Sequence, residues 1–212
     1  MTNVAVIYYS STGNVHSMAK AAAQAAEKAG ADEVRLLKAA ELAPAAAVES
    51  NPDWARHAAA TADVREASAA DVGWADVILF GTPTRFGLPA AQLKQFIDTT
   101  GGLWAQGKLV NKVVSSFTST SACHGGQEST LLALNNTFYH WGSIIVPPGF
   151  ADPIQFDEAN GNPYGASSIS GNTPDNVAEA NLAAVEFQAR RAVETAAALL
   201  RGLATATTAA VA

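Results

Sequence analysis

The chain of 212 residues holds one cysteine, Cys123, which excludes an internal disulfide and fits a reducing compartment. Charge is sparse too: 15% of residues are charged and the formal net charge is -6. The densest basic spot is Arg190-Arg191, so no nucleic-acid-binding surface is expected. Uncharged apolar runs fall short of the roughly 18 residues that a membrane span requires. The first residues pass almost directly into a strand pattern with no basic stretch or cleavage site, so no secretory signal and a cytoplasmic location are expected. Large side chains are scarce after Gly202, and residues 204–212 are expected to form a disordered Ala- and Thr-rich tail.

What is present is a hydrophobic fraction of 49%, enough for one sizeable core. No fixed-period repeat or linker divides the chain, which reads as one domain over residues 1–203. A strand at residues 3–9 leads into Ser10-Ser11-Thr12-Gly13-Asn14 and then a helix from Val15 to Lys28. Further strands are expected at 33–38, 76–81, 113–117 and 143–146, with helices at 89–98, 127–139 and 174–203. Residues 40–71 read as a helix-containing connection in which His57 faces solvent, and 82–87, 118–126 and 150–174 read as loops. Strands alternating with helices specify a parallel α/β sheet with right-handed crossovers, whose ligands bind beyond the carboxyl ends of the strands.

Three loops rich in small and polar residues follow strands one, three and four and emerge at that edge. The first suits an anion, because hydroxyls and free N–H groups converge at a helix start; the alternative is an ordinary turn whose Ser and Thr cap a helix. It contains no Lys or Arg. The G-x-x-x-x-G-K-[ST] phosphate loop, the G-x-G-x-x-G dinucleotide fingerprint and the G-x-S-x-G nucleophile elbow are all missing. A phospho-receiver domain would carry acidic residues where this chain has Ser and Thr. Cys123 and His124 are adjacent, which is not metal-ligand spacing, so no metal is expected. A sheet that holds a single phosphate without basic residues fits flavin mononucleotide (FMN).

Several motifs resemble those of the flavodoxin-like NAD(P)H:quinone oxidoreductases of the WrbA type. They are Tyr8-Tyr9-Ser10, Gly81-Thr82-Pro83-Thr84-Arg85-Phe86-Gly87 and Thr99-Thr100-Gly101-Gly102-Leu103-Trp104, followed by Phe117-Thr118-Ser119-Thr120, Gly125-Gly126-Gln127-Glu128, His140-Trp141-Gly142 and Pro163-Tyr164-Gly165-Ala166. The resemblance implies a three-layer sandwich around a five-stranded parallel sheet of order 2-1-3-4-5. It implies that Ser10, Ser11, Thr12, Gly13, Asn14 and Val15 bind the flavin phosphate, and that Thr84, Arg85 and Phe86 run along the isoalloxazine ring. Ser119, Thr120, Ser121, Ala122, Cys123, His124 and Gly125 would form the other wall.

By the same resemblance Trp104 stands at the substrate mouth, and His140 lies near the ring as cofactor contact and candidate proton donor. Packing is the alternative reading for both. The family's homotetramer, or a dimer, would let them serve a neighbouring subunit's flavin. Two departures stand out. Thr12 and Asn14 replace the family's usual aromatic and His, and Gly171-Asn172-Thr173-Pro174 replaces its Asp-Gly-Ser-Arg run. The expected activity is two-electron transfer from NAD(P)H to a quinone by a ping-pong mechanism. The alternative is a one-electron flavodoxin-type carrier.

Overall fold

The computed structural model describes the backbone of residues 1–211 and the side chains of residues 1–205. Strands β1 (Asn3–Tyr8), β2 (Glu33–Lys38), β3 (Val77–Arg85), β5 (Val113–Thr120) and β6 (Ile144–Ile145) form a parallel sheet in the order β2-β1-β3-β5-β6. Val6 sits opposite Leu36 on one side and Leu79 on the other, and Leu79 pairs in turn with Ser115. This is the expected order, 2-1-3-4-5 when only the five core strands are counted. Two short strands extend it: β4 (Leu88–Pro89) folds back antiparallel on β3, and β7 (Ser167–Ile169) adds in parallel to the end of β5.

The two-residue period of the strands divides the core. Val4, Val6, Tyr8, Val77, Leu79 and Val113 face α1 (Asn14–Lys28) and α8 (Glu179–Val211). Ala5, Ile7, Ile78, Phe80 and Val114 face α5 (Ala91–Asp98) and α7 (Gln127–Trp141). On the first face Ala19, Ala22 and Ala26 meet a layer that includes Ala189, Ala192 and Ala196, all buried. Small side chains let these helices approach closely, which explains the alanine richness of both. Gln188 of α8 crosses into the sheet edge with its amide satisfied: Nε2 donates to Ser115 Oγ at 2.6 Å and to the Ser116 carbonyl at 2.8 Å, and Oε1 accepts from Ala166 N–H.

The structure differs from the sequence reading mainly at the carboxyl ends of the strands. β3 continues through Arg85 into a tight hairpin where a loop is expected, and β5 continues to Thr120. Parallel pairing with β5 carries β3 this far, since Pro83 still pairs with Ser119. The last core strand shrinks to two residues, and the loop at 150–174 contains a 3₁₀ turn (Pro153–Phe156) and β7. The tail expected from residue 204 falls on the end of α8, where side chains beyond 205 lie outside the described residues. Among the described residues no helix is long and apolar enough to cross a membrane.

The connection after β2 folds into α2 (Ala45–Glu49), α3 (Pro52–Ala60) and α4 (Ala69–Trp74). Its buried Asp71 takes the guanidinium of Arg65 at 2.6 Å, that of Arg35 at 3.1 Å and the Ser68 hydroxyl at 2.6 Å. Glu41 accepts from Tyr9 Oη, Trp54 Nε1 and Gln92 Nε2, which fixes α3 against the ends of β1 and α5. His57 is therefore not solvent-facing: at 8% exposure it packs beneath α3, edge-on to His16.

Candidate functional site

The three loops enclose a cavity of about 540 Å³ at the carboxyl edge of the sheet, a size suited to a small cofactor. Its closed end is the turn between β1 and α1. Gly13, at φ +102°, turns the chain into the helix, and its N–H donates to Ser10 Oγ at 3.1 Å. Among the described residues the N–H groups of Asn14, Val15 and His16 meet no acceptor, as expected at a helix start. They lie beside the hydroxyls of Ser11 and Thr12, a donor set that suits the oxygens of one phosphate monoester.

A cation stands beside this end that the sequence reading did not place there. Arg85 lies 74 positions away in the chain, yet its Nη2 reaches Ser11 Oγ at 3.2 Å. The extension of β3 past Pro83 is what delivers it. The first loop itself contains no Lys or Arg, and this contact sets one guanidinium beside its Ser11 hydroxyl.

The second wall is the hairpin between β3 and β4. Thr84 Oγ1 lies 2.6 Å from Thr130 Oγ1 and 3.3 Å from the carbonyl oxygen of Gly125, which ties this wall to the third loop. Arg85 and Leu88 pair across the turn, leaving Phe86 and Gly87 at φ +53° and +78°. Two positive φ angles define a type I′ turn, which favours Asn-Gly. A phenylalanine there is strained, and its ring is fully exposed at the cavity edge.

The third wall comes from the end of β5 and the residues after it. Ser119, Thr120, Ser121 and Gly125 line the cavity. Ala122, Cys123 and His124 do not. The Thr120 hydroxyl closes a turn onto Ala122, and the carbonyls of Ala122 and Cys123 accept from Gln127 Nε2, so the chain bends away from the cavity. Among the described residues no three His, Cys, Asp or Glu side chains gather as metal ligands.

Ser10, Ser11, Thr12, Asn14, Val15, Thr84, Arg85 and Phe86 also line the cavity, while Gly13 shapes it without lining it. Trp104 and His140 lie elsewhere in this chain, joined by Trp104 Nε1 donating to the His140 carbonyl at 2.9 Å. They border a separate open cleft of about 270 Å³ with Lys94, Asp98 and Trp141, which shares no residue with the three-loop cavity. Both side chains are exposed.

Sequence reasoning missed two groups of lining residues. Asn51 and Asp53 come from the start of α3, where the Asn51 side chain caps the helix by accepting from Asp53 N–H and Trp54 N–H. Ser170, Gly171, Asn172 and Pro174 come from the segment after β7. The connection at 40–71 reads as helix-containing, but nothing in the sequence indicates which way its helix lies.

The sheet order, the turn with its free N–H donors and the three loop walls define a flavodoxin-like mononucleotide-binding protein. A family model for NADPH-dependent FMN reductases matches residues 2–157, and the chain belongs to that family. A NAD(P)H dehydrogenase (quinone) of Deinococcus radiodurans is 46% identical over 197 residues, covering 93% of this chain and 96% of that protein. NAD(P)H dehydrogenase (quinone) 3 of Rhizobium meliloti is 46% identical over 208 residues, covering 95% of each. Among solved structures, the WrbA-like flavodoxin of Agrobacterium tumefaciens matches with a TM-score of 0.63 at 23% identity, covering 92% of this chain and 98% of that one. That last similarity concerns the fold alone.

Proposed function

We propose that this protein is an FMN-dependent oxidoreductase that transfers two electrons from NAD(P)H to a quinone. The observation that carries the reading is the three-loop cavity, with phosphate donors at its closed end and an exposed, strained phenylalanine at its rim. The net reaction balances as NAD(P)H, a proton and a quinone giving NAD(P)+ and a hydroquinone. Bound FMN supplies a ring that accepts hydride from a nicotinamide and returns two electrons to a quinone, in two half-reactions sharing one pocket.

The protein supplies binding, orientation and exclusion of water. The N–H groups of Asn14, Val15 and His16, the hydroxyls of Ser11 and Thr12, and Arg85 hold the phosphate. Thr84, Arg85, Phe86, Ser119, Thr120, Ser121 and Gly125 flank the ring, and Phe86 covers it with apolar surface. Trp104 and His140 serve the cavity of a neighbouring subunit in a homotetramer or dimer, with Trp104 at the quinone mouth and His140 supplying a proton. No side chain is required as a nucleophile. The single exposed thiol of Cys123 suits a reducing, cytoplasmic setting.

Anaerobic titration of the FMN-loaded protein with NADH, and separately with NADPH, tests this reading. Loss of the yellow visible absorbance with at least one donor, restored at once by one equivalent of benzoquinone, is expected. A protein that stays yellow with both donors and bleaches only with dithionite is an electron carrier, which overturns the enzyme assignment.

A further inference from the structure

Asn14 opens α1 and is only 8% exposed, yet its carboxamide does not point to the anion site or cap its own helix. Nδ2 donates to the Thr173 carbonyl at 3.2 Å, and Oδ1 accepts from Asn176 N–H at 2.7 Å. Both partners are backbone groups of the segment between β7 and α8. One short side chain thus grips that segment from two sides.

The segment is held at its other end by β5. Ser170 donates to the Thr120 carbonyl through both its N–H, at 2.8 Å, and its hydroxyl, at 3.1 Å. Within it, Asn176 Nδ2 donates to the Ser170 carbonyl at 3.1 Å, and Asp175 N–H donates to the Thr12 carbonyl at 3.3 Å. Residues 170–176 therefore span from the third cavity wall to the phosphate turn, and Ser170, Gly171, Asn172 and Pro174 face the cavity on the way. The two ends of this strap are the two loops that must keep a fixed separation for one mononucleotide to fit.

We propose that Asn14 is a positioning residue that latches the 170–176 strap over the phosphate turn, so that the strap forms a fourth wall of the FMN site and fixes its phosphate end. This rests on the FMN reading above. It assigns Asn14 two separate duties: its backbone N–H serves the phosphate, and its side chain holds the strap. A leucine at this position keeps the volume and removes both latch bonds. An alanine at 176 loosens the strap from its own side and leaves the phosphate turn unaltered.

The test compares wild type, Asn14→Leu and Asn176→Ala as apoproteins, titrated with FMN and with riboflavin by quenching of flavin fluorescence. Riboflavin carries the ring and the ribityl chain without the phosphate. Loss of both latch hydrogen bonds is expected to weaken FMN binding about tenfold in Asn14→Leu, and loss of the Asn176–Ser170 bond within the strap by a smaller factor in Asn176→Ala, with riboflavin affinity changed less than about twofold in both. Amide hydrogen exchange across 170–176 should speed up in both variants before flavin is added.

Unchanged FMN affinity in folded Asn14→Leu overturns the proposal, as does equal weakening of FMN and riboflavin. If Asn14→Leu does not fold, Asn176→Ala decides by the same FMN-to-riboflavin ratio. Wild type that binds FMN and bleaches with NADH while the variants match it refutes only the latch. Wild type that takes up no FMN refutes the FMN reading and the latch together.

Discussion

The imidazole rings of His16 and His57 meet edge to face with centroids 5.4 Å apart, and Tyr8 Oη lies 2.6 Å from His16 Nδ1. Burial, the neighbouring His57 and Lys20 push the His16 pKa down to about 4, against the opposing charges of Asp175 and Asp63. Burial also lowers His57, where Lys38 and Arg56 add to the effect and Asp175 opposes it. The His16 ring is neutral in the folded protein at pH 6 and the His57 ring is shifted in the same direction, while the unfolded chain takes up protons below its ordinary histidine pKa of about 6.5. Between that value and pH 4 the unfolded state binds more protons, so stability falls as the solution is acidified. The melting temperature should decline from pH 6.5 to 4.5, and His57→Phe should flatten that decline. A flat wild-type profile in this window would show that the pair does not titrate as described.

Phe86 holds a left-handed backbone angle that asparagine adopts far more readily. Phe86→Asn should relieve roughly 1 kcal/mol of strain and raise the melting temperature by about 2–4 °C. The same change removes the apolar cover at the cavity rim, so the KM for quinone should rise several-fold. A gain in stability without loss of turnover would mean that the exposed ring has no part in the reaction. Calorimetry and steady-state kinetics on one preparation separate these outcomes.

Gly13 is held by two independent constraints. Its φ of +102° disfavours any side chain, and a Cβ there would overlap the Asp175 carboxylate. Gly13→Ala should destabilise the protein by about 1–3 kcal/mol and weaken FMN binding. Adding Asp175→Gly removes the overlap and leaves the backbone strain, so the double variant should recover part of the loss. Asp175 itself sits at φ +51°, so recovery is read against Asp175→Gly alone: full recovery relative to that variant assigns the cost to the overlap, and none assigns it to the backbone at Gly13. Thermal melts together with FMN titration measure both parts.

Local pattern made the sheet legible. The runs at Val77 to Phe80 and at Val113 to Phe117 are continuous and apolar, as a parallel strand covered on both faces demands. The serines and threonines after strands one, three and four marked the ligand edge, because that edge follows from topology alone. What stayed hidden depended on contacts far apart in sequence. Arg85 reaches Ser11 only because β3 runs past its apolar stretch, and the 170–176 strap is placed by Asn14, which reads locally as part of a helix start. His57 carries no sequence mark of burial, since His16 and the α3 packing that enclose it are set by the tertiary fold.

Like Ala122, Cys123 and His124, the predicted site residues Trp104 and His140 do not line this chain's own cavity. Their cleft lies over α5 and the end of α7, where the Trp104 indole is held by the His140 carbonyl but remains 56% exposed. An exposed indole with a fixed orientation suits a flat partner, and the proposed neighbouring-subunit role makes two separable demands on it. Trp104→Ala should leave FMN affinity unchanged, because the residue does not line this chain's flavin cavity. It should also raise the KM for quinone several-fold in the assembled protein. Sedimentation shows whether the assembly itself survives the substitution. Mixing Trp104→Ala subunits with subunits of weakened FMN binding, such as Gly13→Ala, at an FMN concentration that loads only the former then tests the geometry: a cavity completed by its neighbour regains quinone turnover in the mixed assembly, whereas a cavity complete within one chain does not.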